Sequence, residues 1–341
     1  MRCQNVRLLL REPKAEVDIM NWLETSLRGG FRRLGPFLGL ALVISVFALL
    51  SDSPGQYLSL LNVRIVFSQT VIVALGAIGM TIVIISGGID LSVGSVIALA
   101  SVVTALFLRG AWPPVVAVLA GLLCGALIGA VNGLAVTRLK VVPFIATLGM
   151  LGVARGVAKW LADEKTVNVP VSWVNELAVT FPRPGWLIFA AGVWIALLLA
   201  TLMAVVLRRT VFGRRLFTLG SNEVAARACG IATDRLKIWI YAVAGLFFGL
   251  AGVAQMSRLR QGDPTVAIGV ELDVIAAVVI GGGSLSGGRG SIPGSMIGGL
   301  IMSFLRNGCQ QMGWPPYIQE IIIGVIIVLA VAVDRSRKEL L

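Results

Sequence analysis

The chain has 341 residues, of which 57% are hydrophobic and 13% are charged, and its mean hydropathy is +0.91. These values lie outside the range of soluble domains and indicate a polytopic membrane protein. The net charge of +12 is divided among short loops, which argues against a nucleic-acid-binding surface.

Ten apolar segments are predicted to cross the membrane as helices, because about 20 apolar residues in a helix span a bilayer. In chain order they are Leu34–Leu50, Ile65–Ile85, Leu91–Leu108, Val115–Val136, Pro143–Leu161, Trp186–Leu207, Ile238–Met256, Val270–Ile280, Ile292–Phe304 and Tyr317–Val333. Such long apolar runs exclude a β-barrel, whose strands alternate apolar and polar residues. The predicted fold class is an all-α polytopic membrane protein.

The distribution of Lys and Arg predicts that both termini face the cytoplasm, since basic residues near span ends are retained there. With ten spans, the basic residues of 1–33, 138–140, 208–237 and 334–341 all fall on one side. We therefore expect an N-terminal tail over 1–33, a transmembrane domain over 34–333 with a long inward loop over 208–237, and a C-terminal tail over 334–341. Met20 is a second candidate start, which would make residues 1–19 an extension.

Several kinds of active site are excluded by composition. The chain has no histidine, so it has neither a His-based metal site nor a Ser-His triad. None of its lysines follows a glycine, so the phosphate-binding G-x-x-x-x-G-K-[ST] loop is absent. The sequence therefore predicts no catalytic residues, no metal site and no cofactor on this chain, and any ATP, with its Mg, would be hydrolysed by another chain.

The stretch "SGGIDLSVGS" (Ser86–Ser95) places one carboxylate between two apolar runs. A charged side chain at the bilayer centre costs about 2.5 kcal/mol or more, so Asp90 must be capped, paired or hydrated. One interpretation is that Asp90 is the N-cap of the following helix, after a turn permitted by two glycines. The other is that Ser86, Asp90 and Ser92 line a path, since non-helical backbone at membrane depth must be buried in protein or face a water-filled cavity. The two interpretations are compatible.

A second glycine-rich stretch, "GGGSLSGG" at 281–288, has the same residue as "GGIDLSVG" at 87–94 in five of eight positions. Paired interruptions of membrane helices can mark a substrate route. Glycine bias is the alternative explanation, because both stretches fall at cytoplasmic ends and do not fit a simple inverted repeat.

Four stretches in order resemble a known family: "SGGIDLSVGS", "VNGLAVTRLKVVPFIATLGML", "LGSNEVAARACGI" and "ELDVIAAVVIGGGSLSGGRGS". They resemble the inner-membrane permeases of bacterial ribose-type ABC sugar importers. This resemblance implies a multi-pass protein of the bacterial cytoplasmic membrane, paired with a second permease copy or a paralogue. It also implies ABC ATPase subunits, often fused in tandem, and an extracytoplasmic sugar-binding protein.

The alternatives are a permease for another small solute, such as a branched-chain amino acid or a nucleoside, and a passive channel. Branched-chain amino acid permeases share this architecture but not the "GGIDLSVG" signature, which favours sugar. A path for neutral, hydroxyl-rich sugars needs small polar groups and aromatic edges. The residues suited by type and position are Ser86, Asp90, Ser92, Asn132, Phe144 and Thr147. The alternative for each is ordinary packing between membrane helices.

The long inward loop contains a short predicted helix. Ser221 or Asn222 can cap it, Glu223 lies in its first turn, where an acid is favoured, and Gly230 can end it. About eight helical residues are marginal alone in water, so the helix must pack on something. In the family the pattern E-x-A-A-x-x-x-G resembles the coupling helix that binds a cleft of the ATPase. The residues assigned to this contact are Asn222, Glu223, Ala225, Ala226, Arg227 and Gly230, with Ala226 facing the cleft and Arg227 pairing with an acid there. The alternative is a solvated turn.

Arg258 and Arg260 lie in an outward loop, against the usual charge bias. We expect them to bind an acidic rim of the binding protein, since opposed charges steer encounter. Glu271 and Asp273 resemble the family's E-L-D at the mouth of a span and belong to the same predicted docking region. The alternative for both acids is local pairing with the two arginines.

Overall fold

The computed structural model describes residues 34–182 and 185–339, so the predicted tail over 1–33 lies outside the described residues. In the described part, thirteen α-helices surround one two-stranded sheet. The helices are α1 Leu34–Leu50, α2 Pro54–Tyr57, α3 Leu60–Ile85, α4 Val93–Arg109, α5 Pro114–Arg138, α6 Pro143–Leu161, α7 Ala191–Arg209, α8 Val211–Ser221, α9 Glu223–Ala228, α10 Thr233–Leu259, α11 Val270–Ile280, α12 Ile292–Gln311 and α13 Pro316–Glu339. The strands are β1 Val167–Asn168 and β2 Gln261–Gly262, and a 3₁₀ turn covers Trp173–Glu176.

Each predicted span coincides with a helix, which confirms the all-α polytopic class. Within the described residues, five helices are long and apolar enough to cross a membrane by length and composition: α3, α5, α6, α7 and α10. Helix α12 continues past the predicted end to Gln311, and α13 runs through most of the predicted C-terminal tail to Glu339. The apolar pattern ends before these helices do, because charged and amide side chains such as Arg, Lys and Gln are good helix formers.

Helix α3 is the centre of the bundle, since 94% of the residues in its most apolar 18-residue stretch are buried. Helices α5 and α10 pack closely, because glycines allow their backbones to approach. A Cβ added at Gly125 would lie 2.6 Å from the amide nitrogen of Gly249, and one added at Gly129 would overlap the carbonyl oxygen of Tyr241. Small residues at such crossings are the usual means by which membrane helices associate.

The segment between α10 and α11 is not helical and runs along α4. Gly262 packs against Val102 and Ala105, and the carbonyl oxygen of Ala267 lies against Gly94 in the first turn of α4. Strand β2 at the start of this segment pairs antiparallel with β1, with Val167 opposite Gly262.

Arg155 of α6 fixes the middle of this segment. Its Nη1 donates hydrogen bonds to the carbonyl oxygens of Pro264 at 2.7 Å and Val266 at 2.6 Å. Non-helical backbone that packs against other helices needs such partners, because its carbonyls have no helix to satisfy them. The sequence analysis did not anticipate this contact, which joins residues 109 and 111 positions apart.

Candidate functional site

Three of the predicted path residues form one buried polar cluster between α3, α4 and α5. The side chain of Asp90 is fully buried, and its Oδ1 accepts hydrogen bonds from the amide nitrogen of Ser92 at 2.9 Å and from the Ser92 hydroxyl at 2.6 Å. Asn132 Nδ2 donates to Asp90 Oδ2 at 3.3 Å and to Ser92 Oγ at 3.0 Å. The carboxylate therefore has three donors, which reduces the cost of burying it.

Thr147 connects α6 to the same loop. Its Oγ1 accepts a hydrogen bond from the amide nitrogen of Leu91 at 3.1 Å, and the carbonyl oxygen of Ile89 lies 3.3 Å from it. The loop between α3 and α4 is thus held on both sides, by Asn132 of α5 and by Thr147 of α6.

The prediction that Asp90 is an N-cap is wrong in position. Helix α4 begins at Val93, and its N-cap is Ser92, whose side chain makes no capping hydrogen bond. Asp90 lies two residues earlier and accepts the backbone N–H of Ser92. The reason is that Asp side chains also bond the backbone two residues ahead in turns, which competes with capping. The carboxylate still organises the start of α4, as the capping interpretation required.

Ser86 and Phe144 lie outside this cluster. The Ser86 side chain is half-buried and donates to the carbonyl oxygen of Val83 at 2.7 Å. Phe144 is 48% exposed at the start of α6. The structure therefore brings together Asp90, Ser92, Asn132 and Thr147, and leaves the other two predicted residues more accessible.

Tyr241 of α10 is a cluster neighbour that the sequence analysis missed. Its hydroxyl lies beside Gly88, where an added Cβ would be 2.6 Å away. Among the residues that the structure describes, neither the Tyr241 hydroxyl nor Asn132 Oδ1 has a hydrogen-bond partner, although both are buried. A buried tyrosine hydroxyl usually has a partner, so these two atoms offer free hydrogen-bonding capacity next to Asp90. The sequence did contain a signal for this residue, because a tyrosine within an apolar span usually has a polar partner.

Asp90→Asn is expected to be less damaging than Asp90→Leu. Asparagine keeps an oxygen for the Ser92 N–H, whereas leucine leaves the buried donors of Ser92 and Asn132 without an acceptor, at about 1–3 kcal/mol for each unsatisfied group. Membrane level and transport activity would be measured for both variants beside the wild type. Equal loss in the two variants would mean that the negative charge itself is required.

The short helix predicted within residues 208–237 is confirmed as α9. Asn222 Oδ1 accepts the backbone N–H of Ala225 at 2.9 Å, and Gly230 follows the helix with φ +81°. The amide nitrogen of Ile231 donates to the carbonyl oxygen of Ala226 at 3.1 Å, which closes the C-terminal turn.

Helix α9 is held to the start of α10 by ion pairs. Lys237 Nζ lies 2.7 Å from Glu223 Oε2, and Arg227 Nη2 lies 3.1 Å from Asp234 Oδ1 and 2.9 Å from Thr233 Oγ1. Each exposed pair contributes little alone, but together they fix the orientation of a six-residue helix. The packing partner that the short helix needs is provided by its own chain.

One orientation prediction for α9 is wrong in this structure. Ala226 is fully buried and packs towards this chain, so it does not face outwards to a partner cleft. The difference arises because α9 folds back onto α8 and α10. Arg227 pairs with Glu223 and Asp234 within the chain, but its side chain is 61% exposed, so its pairing with an acid of a partner stays a prediction. Val224 is the large apolar side chain that α9 exposes, at 80%.

The four predicted docking residues are not all at the surface. Arg260 is exposed, whereas Arg258 is partly buried. Glu271 Oε1 accepts the amide N–H of Gly269 at 3.2 Å.

Asp273 pairs with Arg306 of α12 rather than with either predicted arginine. Its side chain is 1% exposed, and its Oδ2 lies 2.6 Å from Arg306 Nε. The alternative of local pairing is therefore wrong for Asp273. An ion pair whose carboxylate is buried connects α11 to α12 instead.

Comparison with known proteins identifies the family. Residues 62–331 match the family described as branched-chain amino acid transport system / permease component. The ribose import permease protein RbsC of Bacillus subtilis is 39% identical over 318 residues, covering 91% of this chain and 95% of the relative. RbsC of Escherichia coli K12 is 39% identical over 296 residues, 87% of this chain and 92% of the relative. The fructose import permease protein FrcC of Rhizobium meliloti is 36% identical over 301 residues, 87% of this chain and 84% of the relative.

No solved structure matches the chain at a significant level. The family match covers most of the chain, including the Asp90 cluster and α9. The chain belongs to the permease-component family of branched-chain amino acid transport systems, and its relatives there include ribose and fructose import permeases.

Proposed function

We propose that the chain is the permease subunit of an ABC importer that carries a ribose-like monosaccharide across the bacterial cytoplasmic membrane. The observation that carries this proposal is the similarity, over about nine tenths of both chains, to a ribose import permease. The sugar would be delivered by an extracytoplasmic binding protein. ATP, with Mg, would be hydrolysed by partner ABC ATPase subunits, and the permease would act with a second copy or a paralogue.

The proposed ATPase contact is the outer face of α9. An exposed valine on a helix fixed by ion pairs provides a rigid apolar contact for a partner surface. Ala225, which is exposed beside Val224, would allow close approach. In this proposal Asn222, Glu223, Ala226 and Gly230 set the position of the helix, and the exposed Arg227 pairs with an acid of the ATPase.

The proposed sugar path runs past the loop between α3 and α4. Ser86 and Phe144 are accessible enough to touch a passing sugar, by hydroxyl contact and by ring contact. Asp90 is fully buried, so its role is to hold the loop with Ser92, Asn132 and Thr147. In this proposal a bound water beside the loop would satisfy Asn132 Oδ1 and the Tyr241 hydroxyl, which are buried and have no partner among the described residues.

Arg260→Glu is expected to weaken stimulation of the ATPase by the loaded binding protein at low salt. Arg260 is the exposed member of the predicted docking pair, and charges at an interface rim act through screened attraction. ATPase activity would be titrated with binding protein at low and high salt. The half-maximal concentration should rise several-fold at low salt and converge with that of the wild type at high salt. An unchanged low-salt titration would remove Arg260 from the docking surface.

The transported solute is tested with the assembled complex. Permease, ATPase and binding protein would be reconstituted, and ATP hydrolysis would be measured with ribose, fructose, leucine and a nucleoside. The proposal expects a monosaccharide to stimulate hydrolysis. Stimulation by leucine or the nucleoside alone would favour the other solute classes within the same architecture.

A further inference from the structure

Three segments of backbone meet at the end of α3 with glycines at the points of contact. The amide nitrogen of Gly288 donates to the carbonyl oxygen of Ile85 at 2.8 Å. Gly220 of α8 lies against the same carbonyl oxygen, so closely that an added Cβ would overlap it. Gly287 lies between Gly220 of α8 and Gly87 of the loop after α3. An added Cβ there would be 2.6 Å from the carbonyl oxygen of Gly220 and 3.0 Å from Gly87 Cα. We call Gly220, Gly287 and Gly288 the glycine junction.

Each segment at the glycine junction leads directly to a different part of the proposed machinery. Ile85 is the last residue of α3 and precedes the loop that carries Asp90. Gly288 precedes α12, which begins at Ile292. Gly220 is in the last turn of α8, and α9 starts three residues later at Glu223. The two glycine-rich stretches that resemble each other in sequence are therefore neighbours in space at Gly87 and Gly287, and Gly220 of α8 contacts the second stretch and the end of α3.

Contacts between backbones differ from contacts between side chains in how they transmit movement. A side chain can change rotamer when its neighbour moves, whereas two backbones in direct contact must move together or separate. Gly288 also has φ +71°, a conformation that other residues rarely adopt. The junction is thus a place where glycine is required both for space and for backbone conformation.

We propose that the glycine junction passes movement of α8 and α9 to the Asp90 loop and to the start of α12. This rests on the proposed function of α9 as the ATPase contact. A displacement of α9 by the ATPase would move the end of α8, which presses on the carbonyl oxygen of Ile85 and on the 281–288 stretch. The three glycines are positioning residues, because they act through these segments and not on the sugar.

Gly220→Ala tests the proposal, because the substitution has opposite local and tertiary effects. Alanine is a better helix former than glycine, so α8 by itself should be stabilised. The new Cβ would nevertheless overlap the Ile85 carbonyl oxygen and separate α8 from the junction. We expect normal membrane level and ATPase co-purification, with sugar transported per ATP hydrolysed reduced at least tenfold. Gly324→Ala is the matched control in α13, where an added Cβ meets nothing within 4 Å, and should stay within twofold of the wild type.

A second, milder variant keeps the test decisive if Gly220→Ala does not fold. A Cβ at Gly290 would lie 2.7 Å from Ile85 Cγ1, which is a side-chain atom that can be removed. Gly290→Ala should lower transport per ATP, and the double variant Gly290→Ala/Ile85→Ala should restore much of it.

Two results would overturn the proposal. One is unchanged transport per ATP in both Gly220→Ala and Gly290→Ala. The other is a fall of uptake and hydrolysis in proportion to permease level, which is what a merely structural defect gives. The assignment of α9 as the ATPase contact is tested separately. If that assignment is wrong, the ATPase will still bind to Val224→Asp permease, whatever the junction variants show.

Discussion

Arg306→Met is expected to lower the stability of the permease more than any surface substitution, because it leaves the carboxylate of Asp273 buried without a counter-charge. Asp273 is 1% exposed, and within the described residues its Oδ1 has no hydrogen-bond partner. Removing one partner of a buried ion pair costs about 3–5 kcal/mol, against a total stability of about 5–15 kcal/mol for a typical protein. The purified protein should unfold at a clearly lower temperature, and less should accumulate in the membrane.

The reciprocal variant separates charge burial from loss of the contact. Asp273→Asn should be milder, because the Arg306 side chain is 31% exposed and can reach a polar environment. Replacing both residues by methionine should recover most of the loss, since apolar replacement of a buried pair is often neutral or stabilising. Unfolding temperatures of all four proteins would be compared in the same detergent. Equal stability of Arg306→Met and the wild type would show that the pair does not stabilise the fold.

Ala226→Glu is expected to abolish ATPase co-purification and sugar uptake by releasing α9 from its own chain. Ala226 is fully buried on the inner face of α9, so a glutamate there must either bury an unpaired charge or detach the helix. Because the ion pairs of α9 are partly exposed and individually weak, detachment is the less costly outcome.

Ala228→Glu is the matched control for this effect. It introduces the same side chain two residues later on α9, at an exposed position outside the proposed ATPase contact. Co-purification of the ATPase and uptake of labelled ribose would be measured together with membrane level. We expect Ala226→Glu to lose both activities and Ala228→Glu to keep both close to the wild type. Wild-type co-purification in Ala226→Glu would show that the position of α9 does not matter for coupling.

The spans and α9 could be predicted from sequence because both depend on local chemistry. The helices follow apolar runs, and α9 follows from Asn222 as cap and Gly230 as stop. Helix α8 was not predicted, because the charged residues Arg214 and Arg215 interrupt its apolar pattern and favour assignment as a loop. A periodic signal was present, since Gly213, Leu216 and Leu219 are buried at helical spacing.

The contacts that define the site could not be predicted, because they join residues distant in the chain. Asp273 and Arg306 are on different helices, and the side of α9 that faces inwards depends on how α8 and α10 place it. The resemblance between the two glycine stretches was visible in sequence. Their contact at Gly87 and Gly287 was not, because glycine composition alone explains the similarity equally well.

The most direct test of the account is sugar accumulation by proteoliposomes that contain the permease and its ATPase. The binding protein is added on the face of the membrane from which sugar is taken up, and ATP is supplied on the face that carries the ATPase. Labelled ribose would be followed with ATP, without ATP and with Val224→Asp permease. The account predicts accumulation above the external concentration only with ATP and the binding protein, and its loss in Val224→Asp because the exposed contact of α9 is removed. Equilibration of ribose at the same rate without ATP would contradict it and identify a passive channel.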